Sequence, residues 1–139
     1  ISQTETAACL SEERAVEFTG VLSLETFPGR PHYTSIAGGD EPETGYYLMV
    51  DVPVCVERYG IETEKTYPIK GIWKLQLNIS NPQLRAKIRN LHTRKQKVVV
   101  TGKPYLGISG HYHAPHGAAI SVSDTVQAQF SFEDMFKQH

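Results

Sequence analysis

Apolar and polar residues alternate over long stretches of this chain, and alternation with period two predicts strands. Val16, Phe18, Leu22 and Leu24 fall on one face with Gly20 between them, so a first half-buried strand bends or bulges at Gly20. Tyr46 to Val56 is a second apolar run. Pro53 lacks a backbone N–H, which predicts an edge or a bulge at that end. A polar linker from Glu57 to Lys70 leads to a third strand, Gly71 to Ile79, with Trp73, Leu75, Leu77 and Ile79 on one face.

The period then changes. Asn81 is a good N-cap with Pro82 at the first helical position. Leu84, Ile88 and Leu91 recur at helical spacing, and basic residues cover the other side. Lys97 to Gly102 predicts a buried strand, and Gly117 to Val126 another, in which Ala118, Ile120 and Val122 alternate with polar neighbours. The tail FSFEDMFKQH is expected to form a short helical or irregular cap. Three strands, a helix and two strands is the connectivity of the OB-fold, a small five-stranded Greek-key barrel. The predicted fold class is therefore mainly β, an OB-like barrel with one helix between strands three and four. An SH3-like barrel or an open sandwich fits the element order as well. The barrel is expected over residues 16–139, with residues 1–15 as an N-terminal tail.

Two loops stand out on such a frame. Glu25 to Gly45 is polar, rich in Gly, Pro and acid, and at about twenty residues too long for a plain connector. Pro104 to His116 carries Tyr105, His111, Tyr112 and His113. OB barrels meet their ligands near strands two and three and these two loops. Phe27, His32, Tyr33, Asp40, Glu41, Glu43, Tyr105 and Tyr112 are accordingly the candidate partner-binding residues. Acid in the first loop suits a basic cleft on a protein and repels nucleic-acid phosphates. A net charge of −1, with the one basic run confined to residues 85–97, also argues against nucleic acid. No apolar stretch is long enough to span a membrane.

Cys9 and Cys55 match neither CxxC redox spacing nor a zinc ribbon. A bond between them would tether the tail to the end of the second strand. The start at Ile1 with a polar lead is what a mature exported product looks like after loss of a signal peptide, and a trimmed chain would begin the same way. Export favours the disulfide.

His111, His113 and His116 form the obvious metal candidate, since residues 111 and 113 of an extended segment share a face and a turn at Pro115 returns His116. Three imidazoles and a water make a known zinc shell. No carboxylate accompanies them in sequence, and the alternative is a turn whose imidazoles bond backbone. Nucleophile elbows and phosphate-binding glycine loops are missing. Asp40, Glu41 and Glu43 are expected to be solvated and ionised instead of paired for acid–base work. The chain is expected to be a binding protein without cofactor, not an enzyme.

The stretch ETFPGRPHYTSIAGGDEPETGYYLMVDVPVCV, followed by VVVTGKPYLGISGHYHAPH, resembles a family of exported bacterial proteins known mainly as a domain of unknown function. That family carries TFPGxPxYxSIAxGDEPET-like and TGHxHxPH-like motifs. The chain departs from it at Arg30, His32 and Tyr112. The resemblance implies periplasmic export and an OB-like barrel. Small exported proteins of this type include immunity proteins that neutralise type VI secretion effectors, among them phospholipase D-class lipases. The leading expectation is therefore an inhibitor that occludes the active site of a cognate secreted toxin. The alternatives are a periplasmic OB module for a small molecule or oligosaccharide, and a metal-binding protein using the histidines.

Overall fold

A computed structural model describes residues 9–60 and 62–128. Five strands close into a barrel in the order β1-β2-β3-β5-β4. They are β1 (Val16–Pro28), β2 (Pro42–Gly60), β3 (Lys65–Asn78), β4 (Lys97–Leu106) and β5 (Ala118–Gln127), with α1 (Pro82–Thr93) between β3 and β4. β3 and β5 run parallel, and all other neighbours are antiparallel. This is the expected OB-type barrel. The tail FSFEDMFKQH lies outside the described residues.

The core follows the alternation except at Leu24, which is 46% exposed at the outer half of β1, and at Trp73. Phe18 and Leu22, Leu48, Leu75 and Leu77, Val98 and Val100, and Ile120 all point into one cluster. The helix closes one end of it with Ile88 and Leu91 buried and Leu84 packed beside them. Asn81 caps the helix as predicted, its side-chain oxygen accepting from the N–H groups of Gln83 and Leu84. Gly20 and Val21 are the residues at which β1 pairs with both β2 and β4, Gly20 lying opposite Val50 and Val98. A Cβ there would lie 2.1 Å from the Met49 carbonyl oxygen, so only glycine lets the backbones approach that closely.

Three features differ from the sequence reading. The long loop is shorter than predicted, because β1 continues to Pro28 and β2 begins at Pro42, with pairs down to Pro28–Pro42. Residues 57–70 are not a linker. β2 and β3 extend there as a hairpin arm paired from Val56–Ile69 to Gly60–Lys65. Trp73 is 48% exposed, and Ile72 takes the core position at 1%. The reason is a change of register across the β2 bulge between Met49 and Val54, which lies opposite Ile72–Lys74, where β3 changes the face it buries.

The arm has two outer edges. Along β2, Leu10 makes a parallel bridge to Val56, its N–H bonding the Cys55 carbonyl at 2.7 Å and its carbonyl accepting from Glu57 at 3.0 Å. The Cys9–Cys55 disulfide fastens this strap. Along β3, residues 65–75 have no strand on their second side among the described residues, since β5 joins only at Gln76–Asn78.

Candidate functional site

The antiparallel register places one set of side chains on the outer face of β1, β2 and β3. Phe27 lies opposite Glu43, Ser23 opposite Tyr47, Tyr47 opposite Gln76 and Met49 opposite Lys74. The segment between β4 and β5, residues 107–117, folds over this face. Gln76 fixes it to β3, with its amide N–H donating to the His111 carbonyl at 3.0 Å and its amide oxygen accepting from the His113 N–H at 2.9 Å. Two glycines allow the close fit. A Cβ on Gly107 would fall 2.2 Å from the Tyr112 ring, and one on Gly110 would fall 2.9 Å from the Tyr33 ring.

Glu43 joins the two loops. Its Oε2 is 2.7 Å from His111 Nδ1 and its Oε1 is 2.8 Å from His113 Nε2. Burial pushes the Glu43 carboxyl up, but the hydrogen bonds and charges of His113 and His111 outweigh it and hold the group below its ordinary value. An ionised carboxylate only accepts, so both imidazoles donate an N–H to it. In the neutral His111 ring Nε2 is then an acceptor, and the Tyr33 hydroxyl stands 3.3 Å away. Phe27 stacks flat on His113, centroids 4.9 Å apart at 6°. Below them Lys74 forms an ion pair with Glu25 and lies near the rings of Tyr47, Phe27 and Trp73.

The acids of the first loop have three different fates. Asp40 is 4% exposed and turns inward. Its carboxylate accepts from the backbone N–H groups of His32 (3.0 Å), Thr34 (2.8 Å) and Ser35 (2.9 Å) and from the Thr34 hydroxyl (3.2 Å). Those bonds, Ser35 and Thr34 first, bring its carboxyl down to about 2. Asp40 is therefore not solvated as expected: it is the staple of the loop. Glu43 is clamped between imidazoles. Glu41 alone is freely exposed, with Arg30 at 3.7 Å. Because the Asp40 carboxyl is depressed on folding, its contribution is complete above the ordinary aspartate range near 4 and is lost as pH falls towards 2. Protection of the His32, Thr34 and Ser35 amides, exchange measured relative to the unfolded chain at the same pH, should fall across that window. In Asp40→Asn it should already be low at neutral pH.

The other candidates divide. His32 is exposed and contributes its N–H to Asp40. Tyr105 and Tyr112 pair edge to face with hydroxyls 3.2 Å apart, and Asn78 donates to Tyr105. Burial, with the Tyr112 hydrogen bond, pushes the Tyr105 phenol up to about 12. The three histidines do not converge. His116 sits exposed in the 3-10 turn Pro115–Gly117, in a left-handed conformation (φ 62°), and its carbonyl accepts from Arg58. Among the described residues no three His, Cys, Asp or Glu side chains are disposed to hold a metal ion, which corrects the proposed His111–His113–His116 set.

Sequence reasoning missed Tyr47, Lys74 and Gln76, and it missed Glu43 as a partner of the histidines. Together with Thr44, Gly45 and the two imidazoles, Glu43, Tyr47 and Gln76 line a cleft of about 300 Å³. Glu43 is 68 and 70 residues from His111 and His113, so no local pattern links them. Glu43→Gln should destabilise the protein by only about 1 kcal/mol, because the clamp is partly solvated. Its larger effect should be on residues 107–117, whose amides should exchange roughly tenfold faster while the barrel amides keep their protection.

No family model matches the chain, and no curated protein or solved structure matches it either.

Proposed function

We propose that this barrel is a non-catalytic binding protein of the periplasm that uses the joined β1–β2 and β4–β5 loops to engage one secreted toxin and occlude its active site. The observation that carries the reading is the joint itself. Glu43, Gln76 and Tyr33 tie two irregular loops, whose motifs also carry the family resemblance, into one surface. Binding loses less conformational entropy when a loop is already ordered. The same loop carries Ile108, 95% exposed, at a position an apolar pocket of a partner would cover. The disulfide supports an oxidising compartment.

A carboxylate–imidazole–hydroxyl chain also serves hydrolases. Here it ends on the phenol of Tyr33 and spans two loops, which favours fastening over nucleophilic attack. A second reading, a small polar ligand such as a saccharide, is favoured by the cleft of about 300 Å³.

The test is affinity capture from the envelope and secreted fractions of producing cells, followed by assay of the captured protein. The expected result is one hydrolase, inhibited at equal stoichiometry by the purified barrel. A captured protein whose activity is unchanged, or a bound saccharide without protein, would replace this reading with the ligand-binding one.

A further inference from the structure

From Lys65 to Ser123 the chain contains no aspartate or glutamate, yet this stretch carries ten of its fourteen lysines and arginines. Twelve of the fifteen acids precede residue 65. A net charge of −1 therefore hides a strong separation of sign along the chain. The fold concentrates the positive part, because six of the ten cations lie on α1 or just after it, between Arg85 and Lys97.

The helix presents these charges in two rows. At roughly 100° per residue, Leu84, Ile88 and Leu91 face the core, and Ala86, Asn90 and Thr93 form the outermost ridge. Arg85 and Arg89 flank that ridge on one side and Lys87 and Arg94 on the other, all of them exposed. Lys87 is paired with Asp124 at 3.2 Å. Arg85 bonds the Ile79 carbonyl, which leaves its charge uncompensated, and it repels Arg89 one turn on. Arg89, Arg94 and Lys95 have no acidic partner among the described residues. A surface of this kind gains from an anion supplied from outside.

The ridge decides the shape of that anion. A helix that reads a nucleic-acid groove needs long polar side chains where it enters, so that they reach base edges. Here the ridge is short and uncharged, and Thr93 turns its hydroxyl back to the Arg89 carbonyl at 2.9 Å. Long cations on both sides of a low ridge extend past it to a common plane.

We propose that the outer face of α1 is a docking surface for an anionic phospholipid bilayer, with Arg85, Arg89, Arg94 and Lys95 meeting the headgroup phosphates. The apolar stripe of the helix is spent on the core, so the attachment is electrostatic and peripheral, without insertion. It is independent of the toxin-binding reading and compatible with it. Tyr46 packs edge to face on His92 of the helix, whereas Tyr47 lines the cleft under the joined loops. Successive strand residues point to opposite faces, so the helix and the loops lie on opposite sides of β2.

The test is co-sedimentation of the full chain with vesicles. The chain should bind vesicles with about 40% phosphatidylglycerol at roughly 20 mM salt and be released at roughly 500 mM, where charges are screened. Pure phosphatidylcholine vesicles should leave it in solution. Arg89→Gln, Arg94→Gln and Lys95→Gln together should weaken the partition at least roughly tenfold, since each cation at an anionic surface is worth about fivefold. Lys65→Gln, Lys70→Gln and Lys103→Gln together remove the same charge away from the helix and should change it less than about threefold. In the wild type, anionic bicelles should broaden the amides of residues 85–95 first. Equal losses in the two triple variants, broadening centred elsewhere, or equal binding to phosphatidylcholine would overturn the proposal. Tighter binding to duplex RNA or to polyglutamate than to the vesicles, at equal charge concentration, would overturn it in favour of a nucleic acid or an acidic protein.

Discussion

Cys55→Ser should lose about 4 kcal/mol of stability, the largest single loss expected among substitutions outside the core. The bond closes a loop with a sequence separation of 46, and opening it restores that much chain entropy to the unfolded state. The native state also loses order, because the Leu10 bridge along β2 is held in place by the bond next to it. The thermal midpoint should fall by roughly 10–20 °C. Reduction of the wild type should reproduce the variant, and Cys9→Ser should match Cys55→Ser, since both open the same loop. A loss below about 1 kcal/mol would show that the strap is held by Leu10 without help.

Gly20→Ala should destabilise the barrel by about 3 kcal/mol, at the upper end for overpacking, although alanine adds one methyl group. Gly20 is paired on both sides, and the new Cβ would meet backbone, the Met49 carbonyl carbon at 2.8 Å and Val50 Cα at 2.9 Å. The β2 backbone, held by its pairing, cannot turn aside as a flexible side chain would. Urea unfolding measures the loss. Gly39→Ala makes a useful contrast, because no atom lies within 4 Å of its added Cβ, and its cost comes only from a positive φ of 111°. If Gly20→Ala proved the milder of the two, strand spacing at the closure would not be the constraint.

The sequence made the barrel legible wherever a strand has one buried face. Phe18 and Leu22, or Ile120 and Val122, announce their strands because water lies on one side only. The hairpin arm was read as a linker for the same reason. Residues such as Glu57, Lys65 and Thr66 lie outside the core, so neither face selects for apolar side chains. Trp73 was misplaced because period-two counting assumes an unbroken register, and the bulge near Pro53 breaks it. The two long connections lie at the segments read as loops, although the first is shorter, and the bonds between them were not legible. Asp40 had a readable signal: aspartate in a turn-rich segment commonly bonds nearby backbone N–H groups. Glu43 had none, since its partners meet it only after the barrel closes.

The edge of β3 that has no pairing strand among the described residues bears on how copies of this chain behave when crowded. An open strand edge is a template on which another chain can add, and repeated addition gives polymers. This edge is interrupted by Pro68, by the left-handed turn at Gly71 and by the charges of Lys65 and Lys70. Proline withholds an N–H, the turn breaks flatness, and lysines on stacked copies would repel one another. The arm thus carries, at Pro68, Gly71, Lys65 and Lys70, features that oppose the addition of a further strand to its open side.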